Sequence, residues 1–350
     1  MLYVSACQQW PITYKRNITR ALCLDQKTNY ATMRVEVSFF VWIKIMNVNE
    51  QLTDLERIEL TKKSYDELKL GEEIVIGNHH IGIVCRNVHA EDGMRAFIIS
   101  NPHEVTILFK GSYGIKRGNP QTWRDEWFKT NLPILRAMLS HERRVPSQLK
   151  SASKLLNETI SQFKGKQIYI YGHSLGAINA QFALANCHHP EAIGAAYLYE
   201  GTNIWLLFTP KERRRVALMR EKIFNYVDIY DPVTLGITET HHMVGKLCYV
   251  DSEPMKPIKQ HMWGGYLFNP DGSVKLREID QAFLAEARSE HKLLTRSGDL
   301  TEFIEKISSA DEIKKMATEK IDRMVEHYPD HSSLAKLATL FKSELLKDRD

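Results

Sequence analysis

The chain has 350 residues, of which 47 are basic and 43 acidic, and its net charge of +4 comes with the signs interspersed. That length buries a full core and leaves material for terminal extensions, while the near balance of charge argues against a dedicated nucleic-acid or anionic-membrane surface. Five widely spaced cysteines (Cys7, Cys23, Cys85, Cys187, Cys248) form no CxxC pair and read as reduced, mostly buried thiols, which favours a cytoplasmic protein or one exported without a recognisable signal peptide.

Residues 1–45 show no sustained period and are set apart as an accessory N-terminal segment. Their most apolar stretch, residues 37–46, contains Lys44 and is too short to span a bilayer. Leu55, Ile58, Leu60 and Tyr65 then mark the apolar side of a helix over residues 52–70. From Gly77 the period shortens. Residues 81–85, 94–99 and 105–109 are apolar or alternating runs bounded by Gly, Asn, Asp and Pro, and they read as strands. The last, from Val105 to Phe109, is almost continuously apolar, as suits a strand covered on both faces, and it stops at Gly111-Ser112. Helices follow around Trp123, Trp127 and Leu132 and over residues 151–163, and Gly165 leads into a strand at Ile168 and Ile170. Strand, helical crossover and strand make this an α/β chain.

At the end of that strand stands Gly172-His173-Ser174-Leu175-Gly176, followed by a helix through Ala185. A GxSxG elbow between strand and helix holds its serine in a strained turn with the hydroxyl projecting, and any side chain at 172 or 176 would crowd it. The N–H of Leu175, at the helix start, can point at a developing oxyanion.

Beyond the elbow, residues 193–199 form a buried strand ending at Glu200-Gly201. The cluster Lys211, Arg213, Arg214, Arg215 and Arg220 reads as a solvated helix face. A strand over 223–229 runs into Asp231-Pro232-Val233, and a weaker one over 246–250 precedes His261 and a turn at residues 269–272. The core domain is taken as 46–275. Residues 276–350 form a helical C-terminal extension, with a capping box at Ser309–Glu312 and apolar Ile313, Met316, Ile321, Leu334, Leu337 and Phe341 at helical spacing.

These motifs together resemble the class 3 lipase family of α/β-hydrolases. Its arginine-glycine-serine/threonine turn is Phe109-Lys110-Gly111-Ser112 here, with Lys110 in place of the usual arginine. Its GHSLG elbow is unchanged at 172–176. Its aspartate motif matches Asp231-Pro232-Val233, with Thr234 where a proline commonly stands, and its late histidine matches His261 with Trp263 and Tyr266. The resemblance covers about residues 77–272. It implies an α/β-hydrolase fold with a mostly parallel central sheet and a serine esterase or lipase acting on acylglycerol or phospholipid. Partners would be an ester or lipid substrate and a transient lipid surface, with no cofactor and no metal. A second oxyanion donor would be the N–H of Ser112, aided by its hydroxyl, and residues 123–132 would be a candidate lid.

The chemistry of the residues bears on the same assignments. A serine nucleophile needs an imidazole to take its proton and a carboxylate to fix the imidazole's tautomer, and in this fold the acid precedes the histidine. Asp231 sits just past an apolar strand, where site residues of open α/β sheets lie. Glu200 also ends a strand and is the alternative acid, whereas Asp228 is expected to face a helix or cap a turn. His261 follows the final strand-like run; His242, beside His241, is the alternative base. His173 is too constrained by the elbow to reach Ser174 and is expected to pack beneath the turn. His188-His189 closes the elbow helix, with Cys187, in divergent directions. No HExxH, phosphate loop, dinucleotide fingerprint or nucleic-acid module is present, so neither metal nor nucleotide is implied. The competing reading is a catalytically inactive α/β-hydrolase-like interaction protein that works through its terminal helices.

Overall fold

The structure, a computed structural model, describes residues 47–112 and 145–288 apart from 232, 235, 238, 256 and 286. The expected N-terminal segment, the tryptophan-bearing segment at 123–132 and the helices beyond residue 300 lie outside the described residues. The chain divides into two units, Met1–Gln51 and Leu52–Asp350. The first contributes the short helix Val48–Gln51; everything below belongs to the second.

Helix α1 (Asp54–Lys62) opens on a capping box. Thr53 Oγ1 accepts the Glu56 N–H at 3.3 Å, while the Glu56 carboxylate accepts the Thr53 N–H at 2.8 Å. The helix expected over 52–70 is shorter because Lys63–Tyr65 tightens into a 3₁₀ turn and Asp66 is extended, which draws Tyr65 into the interior. Eight strands follow in a sheet whose spatial order equals their chain order: β1 (Glu73–Ile76), β2 (His79–His89), β3 (Arg95–Ser100), β4 (Glu104–Phe109), β5 (Gln167–His173), β6 (Ile193–Tyr199), β7 (Ile223–Val227) and β8 (Lys246–Tyr249). Strands β1 to β4 pair antiparallel, and β4 to β8 pair parallel. Helix α2 (Ser147–Gln162) precedes β5, α3 (Leu175–Ala185) follows it, α4 (Pro210–Leu218) precedes β7, and α5 (Pro257–His261) follows β8. The result is a mostly parallel α/β sheet, as expected. Strand β1, four residues long, has no counterpart among the strands expected from the sequence.

The parallel strands are buried on both faces, and the pleat sorts their side chains. Val105, Ile107 and Phe109 of β4, Ile168 and Ile170 of β5, and Ala196 and Leu198 of β6 join Leu149, Leu156, Ile178 and Val216 of the helices in one aliphatic core. Every residue of α3 is buried. The opposite face is aromatic. Tyr171 stacks on Tyr197 at 5.1 Å and Tyr199 on Tyr226 at 4.7 Å, with the Arg57 guanidinium of α1 lying 4.5 Å from the Tyr197 ring. Tyr226 ties this face to α1 through a 3.0 Å bond to Asp54. By the same alternation His173 extends the aromatic row begun by Tyr169 and Tyr171. Because β4 to β7 run parallel, the residues ending them, Ser112, Ser174, Glu200 and Asp231, arrive at one edge of the sheet.

Candidate active site

Ser174 links β5 to α3 with φ 57° and ψ −126°, a conformation a serine adopts at a cost of about 1–3 kcal/mol. Close packing imposes it. A Cβ on Gly172 would lie 2.5 Å from the Gly176 carbonyl oxygen, and one on Gly176 would lie 2.3 Å from that of Phe109. The elbow is further pinned by a 2.9 Å bond from the Ser174 N–H to the Tyr199 carbonyl. The Ser174 hydroxyl is buried and makes no hydrogen bond among the described residues. Leu175 opens α3, so its N–H has no acceptor within the helix. The end of β4 lies against the elbow, since a Cβ on Gly111 would approach the His173 carbonyl oxygen to 2.9 Å. Ser112, one residue on, is buried, and its hydroxyl also makes no hydrogen bond among the described residues.

At the same edge His261 Nδ1 donates to Asp231 Oδ2 at 2.7 Å, with both residues fully buried. The other Asp231 oxygen accepts the Val233 N–H at 2.7 Å, and the Asp231 N–H donates to the Asp228 carbonyl at 3.1 Å. The carboxylate is therefore held at both ends. Helix α5, which carries His261, is tethered to the end of β7 by Gln260, whose amide donates to Asp228. Asp228 also accepts from Ser252 at 2.7 Å and from the Tyr230 N–H at 2.9 Å, so it caps a turn, as expected.

Glu200, the alternative acid, has its oxygens engaged elsewhere. They bond Tyr266 and Thr234 side chains and the Asp228 N–H, and the residue makes no bond to a histidine among the described residues. The alternative base is also committed. His241 and His242 lie 3.0 and 3.6 Å from Glu239, and His242 stacks on Trp205 at 5.8 Å. The ligand atoms of these three residues lie within 4.8 Å of one another, the one grouping among the described residues with the spacing to hold a metal ion. His189 pairs with Glu191 at the surface, at 3.0 Å.

His173 does more than pack beneath the turn. Its Nδ1 lies 2.5 Å from the Tyr65 hydroxyl and its Nε2 lies 2.7 Å from the His261 carbonyl oxygen. A carbonyl only accepts, so Nε2 carries the proton and Nδ1 accepts from the tyrosine. Ser174 is thus joined to the main chain of His261 through His173, the residue preceding the serine, while no hydrogen bond links the serine hydroxyl to the His261 ring. Nothing in the sequence points to Tyr65 or Gln260 at this site, whereas Tyr266 is one of the two aromatics that follow His261 in the lipase-like motif.

Two fully buried groups pull the pH response in opposite directions. Burial, reinforced by His261, holds the His173 pKa well below 6.5. Burial, reinforced by Asp231 and Asp228, lifts that of Glu200 well above 4.5. Below pH 6.5 the unfolded chain takes a proton on His173 that the folded chain refuses, so stability falls with acid. Above pH 4.5 the unfolded chain releases the Glu200 proton that the folded chain keeps, so stability falls with base. Each slope is limited to about 1.4 kcal/mol per pH unit. They oppose one another between the two ordinary values, and burial also lifts Asp228 above its usual 3.8, which adds to the decline with base. Thermal melts of wild type and Glu200→Gln across this range should show the alkaline decline in Tm flattened in the variant.

No family model and no curated protein sequence matches the chain. Among solved structures it is similar to a fungal lipase, at 15% identity and TM-score 0.37 over 68% of this chain and 89% of that one. It is similar also to a triacylglycerol lipase from Penicillium expansum, at 12% identity and TM-score 0.35 over 57% and 79%. A Rhizomucor miehei lipase propeptide complex matches at 14% identity and TM-score 0.33, over 51% of this chain and 60% of that one. Likeness at this level carries no argument about activity, which must come from the residues. No described helix is long and apolar enough to cross a membrane.

Proposed function

We propose that the protein is a serine hydrolase that cleaves carboxylic esters through an acyl-enzyme. The observation that carries this reading is a fully buried Asp231–His261 pair at the sheet edge where a positive-φ serine, Ser174, stands on a strand–helix elbow. In this reading the fold is an α/β-hydrolase with a catalytic domain over 46–275, flanked by an accessory segment (1–45) and a helical extension (276–350). Asp231 accepts from Nδ1 and so directs the basic lone pair of His261 to Nε2. Ser174 attacks the ester carbonyl as His261 takes its proton, and the imidazolium then protonates the leaving alcohol. A water deprotonated by the same nitrogen releases the acid. The N–H groups of Leu175 and Ser112 receive the oxyanion, a contribution of about 3 kcal/mol for each donor that is in place. Neither metal nor cofactor enters these steps.

The lipid-ester assignment, acylglycerol or phospholipid, rests on the class 3 lipase resemblance of residues 109–112 and 172–176. A panel of nitrophenyl esters of rising chain length tests it. Each methylene buried in an acyl pocket is worth about 0.8 kcal/mol, so kcat/KM should rise about fourfold per methylene until the pocket is full. A steady decline beyond acetate would make the protein a small-ester hydrolase. Emulsified triacylglycerol and phospholipid vesicles then separate lipase from phospholipase.

A further inference from the structure

We propose that His173 is a positioning residue: held in a single tautomer by Tyr65, it fixes the main chain of His261 and so sets the distance between the catalytic imidazole and Ser174. The inference rests on the serine-hydrolase reading and extends it to two residues that the Ser174–Asp231–His261 set does not include.

The need for such a link lies in how His261 is mounted. It closes a five-residue helix, and the last carbonyls of any helix lack partners within it. The chain turns away at once, with Trp263 at φ 61° and the Gly264 N–H bonded back to Lys259 at 2.8 Å. The His261 carbonyl is therefore a buried acceptor, and the His173 ring meets it at 2.7 Å. The other end of the ring is set by Tyr65 at 2.5 Å, and Trp263 packs 4.0 Å from the His173 ring centre. The backbone of His173, meanwhile, is locked into the sheet opposite Tyr199. One residue thus ties the immobile strand that presents Ser174 to the short helix that presents His261. Asp231 fixes the direction of the His261 ring, and His173 fixes the height of its backbone. Tyr65 is what keeps the His173 proton on Nε2. Without the phenol, Nδ1 would be a buried acceptor with its donor removed, and the other tautomer would turn a lone pair toward the carbonyl.

The test compares His173→Leu, which keeps bulk but loses both bonds, with His173→Gln, whose amide can still donate to the His261 carbonyl, and Tyr65→Phe, which removes one oxygen. Misplacement of a catalytic group by about 1 Å costs about 10²-fold, so kcat should fall by that factor in His173→Leu with KM little changed. His173→Gln should recover to within about tenfold of wild type, and Tyr65→Phe should lose about tenfold, as expected when one buried acceptor goes unsatisfied. Proton NMR adds a readout that needs no turnover. The downfield resonance of the His261 Nδ1–H on Asp231 should be sharp in wild type and His173→Gln, and broadened in His173→Leu. Wild-type kcat in both His173→Leu and Tyr65→Phe, or an unaltered resonance in His173→Leu, overturns the proposal. So does a glutamine variant no better than the leucine one. If His173→Leu does not fold, the Tyr65→Phe and His173→Gln results decide. If wild type turns over no ester, the hydrolase reading fails, and the resonance alone decides whether His173 positions His261.

Discussion

Asp231→Asn is expected to lower ester turnover by about 10⁴-fold with the fold intact. The hydrogen bonds of this carboxylate explain why the loss should be so large. Oδ1 accepts the Val233 N–H at 2.7 Å, so an asparagine must place its carbonyl oxygen there. Its amide NH₂ then faces His261 Nδ1, which sits 2.7 Å from the present Oδ2. Two donors cannot share that bond, and the imidazole adopts the opposite tautomer with its proton on Nε2. That nitrogen can then no longer accept the proton of Ser174. The expectation is read from kcat, with circular dichroism and Tm as checks on folding. Turnover within tenfold of wild type would show that Asp231 does not set the tautomer and would return attention to Glu200.

Gly176→Ala is expected to cost about 3 kcal/mol of stability, at the upper end of what overpacking a tight site usually costs. The added Cβ would lie 2.3 Å from the Phe109 carbonyl oxygen and 3.2 Å from the Lys110 carbonyl carbon. Both belong to the main chain at the end of β4, so no side chain can swing aside. Either the strand end or the elbow must move, and that separates Ser112 from Leu175, the two proposed oxyanion donors. Urea denaturation should therefore show a lowered midpoint at unchanged m-value, together with lost turnover. Gly93→Ala is the control. Unlike Gly176 it has positive φ, at 90°, but a Cβ there meets nothing within 4 Å, so its cost should be the left-handed backbone penalty of about 1–2 kcal/mol alone, with no clash added.

What could be read in advance follows from how local each signal is. The elbow is a local motif whose glycine spacing is forced by contacts a few residues away, with β4 the one distant wall. The strand over residues 193–199 has the bounds its sequence predicts, because an apolar run between turn residues suits few other states. Strand β1 is silent in the sequence because Glu73-Ile74-Val75-Ile76 is too short to display a period. The apolar spacing after residue 52 continues to Tyr65 and overstates the helix, since the chain leaves it after Lys62 to bury that ring. The surroundings of His261 are tertiary. Glu200 and Asp231 look alike in sequence, each ending a strand, and only the fold gives Glu200 to Tyr266 and Thr234 and Asp231 to His261. His173 meets a carbonyl 88 residues away and a phenol 108 residues away, distances at which periodicity says nothing.

Covalent labelling tests the central assignment most directly. The purified 350-residue chain is treated with a fluorophosphonate, digested, and the adduct located by peptide mass spectrometry. The account predicts one stoichiometric adduct, on Ser174, formed far more slowly in the Asp231→Asn protein. Stoichiometric labelling of another residue, or none in protein shown to be folded, would contradict it.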